Sequence, residues 1–163
     1  PGAGKSTTAA YVFSQLKWKG VETEIVTEFY KDLVWEQAGK AFDNQIYTFG
    51  NHFFRISRLI GEVEVIVVDS PIMLVPVYSE NEELCKLAYT EHRKMNNFNF
   101  YVKRKIPYSE IGRLHTEEEA SAIDKKILSM LYDYKLGAIT VDGTQEGGAR
   151  VVEFVMHKIG MVK

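Results

Sequence analysis

Hydrophobic residues recur along this chain with two different periods, one typical of helices and one typical of strands. Segments with the helical period alternate with segments that have the strand period. Over residues 6–19 an apolar side chain returns at every third or fourth position, which predicts an amphipathic helix that ends at Gly20. Residues 21–27 then alternate one by one, as expected for a strand. Residues 29–38 predict a short helix or an irregular segment that Gly39 breaks.

A longer helix is predicted up to residue 60, capped by Asp43 or Asn44. Its apolar face is predicted to consist of Ile46, Phe49, Phe53, Ile56 and Ile60. The mostly apolar run at residues 63–69 predicts a strand that is covered on both faces, and Pro71 then starts a short helix. The pattern further predicts helices at 82–95, after a capping box at Thr116, and at 150–159, with strands at 99–104 and 138–141.

Strands alternate with helices along the whole sequence, and this order predicts the fold class. It is typical of an α/β domain in which helices cover both faces of a parallel sheet. The length of 163 residues fits one domain with a proper core.

The composition and the charge of the chain disfavour several classes of function. The formal net charge is −2, whereas a surface that coats nucleic acid usually carries a basic excess. The single cysteine, Cys85, cannot form an internal disulfide, and the four histidines show no metal-ligand spacing, so all are expected to be surface or packing residues. No apolar run reaches the roughly 18 residues that span a bilayer. We therefore expect a cytoplasmic protein without a membrane partner, and the oligomeric state stays open.

The most specific motif stands at the beginning of the sequence. It is the back half of a Walker A loop, G-x-x-x-x-G-K-[ST], and its residues are Gly2, Ala3, Gly4, Lys5, Ser6 and Thr7. In this motif backbone N–H groups and the positive end of the following helix bind phosphate oxygens. Lys5 is expected to reach the β- and γ-phosphates of ATP, and the Ser6 hydroxyl to ligate Mg²⁺. A glycine-rich turn that merely precedes a helix is the alternative.

The front half of the motif is not in the sequence. Its first glycine belongs two residues before Pro1, after a buried strand. We therefore expect roughly ten further residues ahead of Pro1, a short apolar strand plus a glycine, with that strand in the middle of the sheet.

Two carboxylates are predicted to lie beside the loop. Asp69 ends an apolar run in the Walker B arrangement, where it would hold Mg²⁺ opposite Ser6, and its alternative role is to cap the next element. Glu28 follows the strand at 21–27, and parallel sheets place ligands outside that edge. It is predicted to accept or orient the proton of an acceptor hydroxyl, and an ordinary exposed glutamate is an equally good interpretation.

Several cations and one amide are further candidates. The polar stretch 105–116 is a candidate lid, in which Arg113, with Arg104 just before it, would stabilise the transferred phosphoryl group. A solvated basic loop is the alternative. On the predicted long helix, Gln45 and Arg55 are candidate contacts to the acceptor.

Together these motifs resemble the P-loop nucleoside and nucleotide kinases. The resemblance is to a small AAA-type group that includes the ribosylnicotinamide kinase domain of a bifunctional NAD-biosynthesis regulator, and more loosely to bacteriophage ATPases. It spans nearly the whole chain and rests on residues 2–7, Thr27-Glu28-Phe29-Tyr30, Asn44-Gln45, Val68-Asp69-Ser70-Pro71 and Gly112-Arg113. It implies a three-layer P-loop NTPase fold with strand order 2-3-1-4-5, in which the absent strand is number 1. The family pattern has an arginine between the aspartate and the serine, whereas Ser70 follows Asp69 directly here.

The leading hypothesis is ATP-dependent transfer of a phosphoryl group to a small nucleoside- or nucleotide-like acceptor. ATP and Mg²⁺ would lie on the loop, the acceptor near Glu28 and Gln45, and the lid would close over both. Two alternatives stay open. One is a kinase for a nucleic-acid end, which would need a basic groove, and the other is a nucleotide-dependent switch with little turnover. The sequence names neither the acceptor nor the nucleotide base.

Overall fold

The computed structural model describes residues 2–105, 107 and 116–161. The helices are α1 (Lys5–Trp18), α2 (Phe29–Trp35), α3 (Gly39–Asp43), α4 (Gln45–Ser57), α5 (Val75–Tyr78), α6 (Glu82–Arg93), α7 (Glu117–Asp133) and α8 (Gln145–Lys158). The strands are β1 (Thr23–Val26), β2 (Val65–Val68), β3 (Asn99–Lys103) and β4 (Ala138–Asp142). In the described part of the chain, no helix combines the length and the apolar character that crossing a bilayer requires.

The strands pair in parallel, as the alternation of strands and helices predicts, but they form two separate sheets of two strands each. β1 pairs with β2, with Val26 opposite Val68, and β3 pairs with β4, with Lys103 opposite Asp142. The mixed α/β class with parallel strands is therefore confirmed. Among the described residues no strand joins β2 to β3, so a continuous five-stranded sheet is not observed.

Helices pack on both faces of these sheets, because each strand sends alternate side chains to opposite sides. Val65 and Val67 of β2 pack against apolar side chains of α1 and α8, and so do Phe100 and Val102 of β3. Ile66 points the other way, into a second apolar cluster that α4, α6 and α7 share. The two clusters form the core on either side of the strands.

A cavity of about 1270 Å³ lies between the two sheets and reaches the loop at residues 2–7. Its wall includes residues 63–68 around β2 and 96–102 around β3. Side chains of a strand point alternately to its two faces, but here consecutive residues of β2 and of β3 line the cavity. An edge of each strand therefore borders the cavity. Within the described chain β2 and β3 each pair along one edge only, so two unpaired edges border the same space. The four apolar residues of β2 are accordingly half-buried.

Local capping signals place two helix starts as predicted. Asn44 caps α4, where its Oδ1 accepts a hydrogen bond from the Tyr47 N–H at 3.0 Å. Thr116 and Glu119 form the predicted capping box of α7, with the Thr116 N–H donating to the Glu119 carboxylate at 2.7 Å. The short helix after Pro71 is also present, as a 3₁₀ turn that continues into α5.

One helix bound was predicted wrongly. α8 begins at Gln145, earlier than the predicted residue 150, because the Thr144 hydroxyl accepts a hydrogen bond from the Gly147 N–H at 3.2 Å and caps the helix there. The short helix predicted within residues 29–38 is present as α2 and ends before Gly39, and Gly39 opens a further five-residue helix, α3, which was not predicted.

The buried face of α4 also differs from the predicted one. Phe49 and Ile56 are buried as expected, but Ile46 is 64% exposed at one end of the predicted face. Thr48 and His52, which are polar, are buried in its place. The apolar spacing alone therefore misplaces the face of this helix by part of a turn.

Candidate functional site

Residues 2–4 form the turn that leads into α1, and the backbone of this turn suits an anion. Gly2 and Gly4 have φ angles of 69° and 88°, in the left-handed region that glycine adopts without steric cost. Gly4 is the N-cap of α1, and no side chain caps this end of the helix. The first N–H groups and the positive end of the helix dipole therefore face outward, which is the arrangement that binds phosphate.

The turn after β4 packs directly against this loop. Gly143 donates its N–H to the Lys103 carbonyl at 2.8 Å, which holds the turn at the ends of β3 and β4. A Cβ at this position would collide with the Ala3 carbonyl oxygen and would lie 3.1 Å from the Lys103 oxygen. The loop therefore packs against a position where any side chain would force the backbone to shift. This contact was not predicted from the sequence.

Asp69 and Glu28 follow adjacent parallel strands at the same edge. The Asp69 N–H donates to the Val26 carbonyl at 3.0 Å, which extends the β1–β2 ladder by one step. Asp69 is 7% exposed, and the Ser6 hydroxyl lies close enough to its carboxyl group to lower the pKa of that group. The structure thus brings the loop serine and the strand-end aspartate together.

Burial raises the pKa of the Asp69 carboxyl, and the nearby Lys5 ammonium and the Ser6 hydroxyl partly oppose that rise. One of its carboxylate oxygens, Oδ1, is buried without a hydrogen-bond partner in the described chain. A buried carboxylate oxygen that lacks a partner is a group that a cation would satisfy.

The donor set fits Mg²⁺. Searching the described residues reveals no cluster of three or more histidine, cysteine, aspartate or glutamate side chains that would form a dedicated metal site. Mg²⁺ is usually held by one or two carboxylates together with waters and substrate phosphates. The Ser6 hydroxyl and the Asp69 carboxylate would supply oxygen ligands of this kind beside the loop at residues 2–7.

Beyond Glu28, the cavity wall carries two tyrosines and an amide. Tyr30 donates its hydroxyl proton to Gln45 Oε1 at 3.2 Å, and Tyr78 lies against Tyr30 with ring centroids 6.4 Å apart. Burial, with the negative charge of Glu28, raises the pKa of Tyr78 to about 12. Glu28, Tyr30, Gln45 and Tyr78 all line the cavity that reaches the loop. This wall can offer hydroxyl and amide hydrogen bonds and aromatic surface to a small polar molecule.

The candidate arginines are placed differently. Arg55 pairs with Asp32 at 2.9 Å and lies over the Phe29 ring at 4.7 Å, so its guanidinium braces α2 against α4 and does not line the cavity. Arg104 pairs with Asp124 of α7 at 2.9 Å. Arg113 lies outside the described residues, as does most of the candidate lid at 105–116, so both stay predictions.

The sequence did not reveal that His52 lies beside the candidate site. It was predicted to be a packing or surface residue, and it packs in the interior, 3% exposed, where its Nε2 contacts the carbonyl of Ser70, next to Asp69. Burial lowers the pKa of the His52 imidazole, although the Ser70 carbonyl and the negative charge of Glu28 oppose that shift. The spacing of Gln45, Thr48 and His52 on one helical face was the available signal.

Comparisons with known proteins leave the family open. The chain matches no protein-family model, and a search of curated proteins produced no match. The case for a function therefore depends on the contacts among the loop, Asp69, Glu28 and the cavity wall.

Proposed function

We propose that this chain binds ATP and Mg²⁺ at residues 2–7 and transfers the γ-phosphoryl group to a hydroxyl of a small nucleoside- or nucleotide-like acceptor. The observation that carries the proposal is that Ser6 and Asp69 lie near each other in the lining of one cavity. It joins a loop built for phosphate to a buried carboxylate, at the edge of the β1–β2 sheet where Glu28 also lies. Ligands of parallel sheets bind outside this edge.

Each residue near the loop has a part in this reaction. The backbone N–H groups of the loop and the Lys5 ammonium hold the β- and γ-phosphates. Mg²⁺, held by Ser6 and Asp69, supplies positive charge beside the transferred group. Glu28 orients the acceptor hydroxyl and takes its proton while the acceptor oxygen bonds to the γ-phosphorus and the bond from that phosphorus to the ADP oxygen breaks.

The cavity wall beyond Glu28 supports a small acceptor. Tyr30 and Tyr78 supply aromatic surface, and Gln45 supplies an amide at the same wall. Small-molecule sites of this kind combine apolar surface with a few convergent polar groups. The phosphate end and the acceptor end of one cavity would then hold two substrates in line, with the lid at 105–116 closing over them.

We further propose that a fifth parallel strand fills the part of the cavity between β2 and β3 and leads directly into Gly2, which completes a three-layer P-loop fold and leaves the part beside Glu28 and Tyr30 open to the substrates. The two unpaired strand edges and the half-buried apolar residues of β2 support this strand, because unpaired backbone groups and exposed apolar side chains are both costly. A form of the protein that includes this strand should have a higher unfolding temperature than residues 1–163 alone and should protect the β2 and β3 amides from hydrogen exchange. If this form differs in neither property, the proposed strand is wrong.

The experiment that tests the phosphoryl transfer is an acceptor panel. ATP consumption by the full natural chain is measured with Mg²⁺ and one nucleoside or nucleotide at a time, with an oligonucleotide 5′ end as a further member. A sharp rise with one small acceptor supports the proposal, and a rise only with the oligonucleotide favours the nucleic-acid-end kinase. If ATP binds but no acceptor raises its consumption above background, the chain is a nucleotide-dependent switch.

A further inference from the structure

One face of α4 carries a row of polar residues that leads from the acceptor end of the cavity to Asp69. Gln45, Thr48 and His52 follow one another at spacings of three and four residues, so they share this face. Thr48 is fully buried and His52 is 3% exposed. Buried polar side chains need hydrogen-bond partners, and where the partners lie tells what the row connects.

The partners belong to two different elements. The Thr48 hydroxyl lies 3.1 Å from the Gln45 carbonyl of its own helix and 3.2 Å from the Tyr30 hydroxyl of α2, and the second contact ties α4 to the segment that follows Glu28. His52 contacts the carbonyl of Ser70, which follows Asp69. A carbonyl oxygen only accepts hydrogen bonds, so His52 Nε2 carries the proton and donates it. The row therefore links the segment after β1 to the segment after β2.

The Ser70 contact completes the support of the Asp69 backbone. On one side of Asp69, its own N–H is held by the Val26 carbonyl at 3.0 Å. On the other side, the Ser70 carbonyl is held by His52, and Ser70 is itself 3% exposed. The peptide before Asp69 and the Ser70–Pro71 peptide beyond it are thus held, by β1 and by α4, which restricts the directions that the Asp69 carboxylate can take.

We propose that His52 is a positioning residue for the metal-binding carboxylate, because it holds the Ser70–Pro71 peptide, one residue beyond Asp69, so that this carboxylate faces Ser6. The inference depends on the proposed function, since the position of Asp69 matters to catalysis through Mg²⁺. His52 touches neither the phosphates nor the acceptor in this account. Residues that orient a metal ligand from behind typically change metal affinity or activity by about 10–100-fold when they are replaced.

The test compares two replacements of His52 with one of a second buried histidine. His52→Leu removes the donor to Ser70, whereas His52→Gln keeps an N–H near the place of Nε2. His92→Leu is the matched control, because His92 is likewise buried, at 5% exposed, but lies on a different helix, α6. For each variant of the full chain, the Mg²⁺ concentration that gives half-maximal phosphoryl transfer, or half-maximal ATP binding, is measured together with the unfolding temperature.

We expect His52→Leu to raise the required Mg²⁺ concentration by about tenfold, with His52→Gln within a few-fold of the wild type and His92→Leu unchanged. Equal Mg²⁺ requirements in wild type and His52→Leu would overturn the positioning role and leave the proposed function standing. The same holds if His52→Gln is as impaired as His52→Leu. If the wild type itself shows no Mg²⁺ dependence, the proposed function is overturned and the role of His52 with it.

A second measurement applies if His52→Leu does not fold. The ¹⁵N spectrum of the wild-type imidazole distinguishes the two neutral tautomers. The Nε2-protonated form is expected, because only that form donates to the Ser70 carbonyl. An Nδ1-protonated ring would contradict the proposal.

Discussion

Val26 and Val68 stand opposite each other on the last rung of the β1–β2 ladder. Because the two strands are parallel, the residues that follow them leave the sheet at the same edge. Glu28 and Asp69 therefore lie on the same side of the molecule, although they are far apart in the sequence, and the loop serine reaches Asp69 from α1. The pairing of two valines thus sets where both candidate catalytic carboxylates lie.

Glu28→Gln tests the acceptor side of this arrangement. We expect phosphoryl transfer to fall by about 100-fold or more, because a positioned acid or base typically contributes that much, while ATP affinity changes little. Steady-state rates and ATP binding of the same preparation give both values. Glu22→Gln, an exposed glutamate just before β1, is the control. Unchanged transfer in Glu28→Gln would remove Glu28 from the mechanism.

Gly143→Ala tests the contact that supports the loop. A Cβ would collide with the Ala3 carbonyl, so the loop or the turn after β4 has to shift. We expect a loss of about 1–3 kcal/mol in the free energy of unfolding and weaker ATP binding, measured by denaturant titration and calorimetry. Gly137→Ala is the matched control, because a Cβ there meets nothing within 4 Å. If the two variants are equally stable and bind ATP alike, the loop does not depend on this packing.

Asp69→Asn should separate stability from function. Burial raises the pKa of this carboxyl above 3.8, which means that folding disfavours its charged form. At pH 7 without Mg²⁺, the neutral asparagine removes that cost, so the unfolding temperature should rise while Mg²⁺-dependent activity is lost. Glu153→Gln, an exposed position on α8, should leave both unchanged. A lower unfolding temperature for Asp69→Asn without metal would show that the buried charge is well compensated.

The buried His92 predicts how stability depends on pH. Burial lowers the pKa of its imidazole below 6.5, so the unfolded chain binds a proton more readily than the folded one as the pH falls. The stability that this ring contributes is present above pH 6.5 and is lost as the pH falls toward the lowered pKa, at a slope of at most about 1.4 kcal/mol per pH unit. His92→Gln should reduce this slope between pH 7 and pH 5. His157→Gln on the exposed side of α8 should not, and equal slopes for both would contradict the account.

The structural features that could be predicted from the sequence are those that depend on residues close together in the chain. The loop at residues 2–7 and the caps at Asn44 and Thr116 depend on residues within a few positions of one another, and the structure has those helix starts as expected. The alternation of strands and helices also predicted parallel strands, and β1 and β2 pair in this way. These features need no knowledge of distant contacts.

The rest depends on contacts between distant residues. The pair Gly147-Gly148 lowers the helix propensity before residue 150, yet α8 includes both glycines because Thr144 caps the helix there. Glycine stands at 147 because a Cβ would collide with the Asp142 carbonyl. Thr48 and His52 are polar, and their burial depends on Tyr30 and Ser70, which no local pattern reveals. Close packing and buried polar partners were therefore the features that sequence reasoning missed.

The most direct test of the central claim is ATP affinity with and without Mg²⁺, measured by calorimetry on the full natural chain and on Lys5→Ala. The account predicts that the wild type binds ATP more tightly with Mg²⁺. It also predicts that Lys5→Ala weakens binding by about tenfold or more, since a hydrogen bond to a charged phosphate is lost, and that Lys19→Ala at the far end of α1 binds normally. Absence of ATP binding in the wild type, or equal affinity in wild type and Lys5→Ala, would contradict the account.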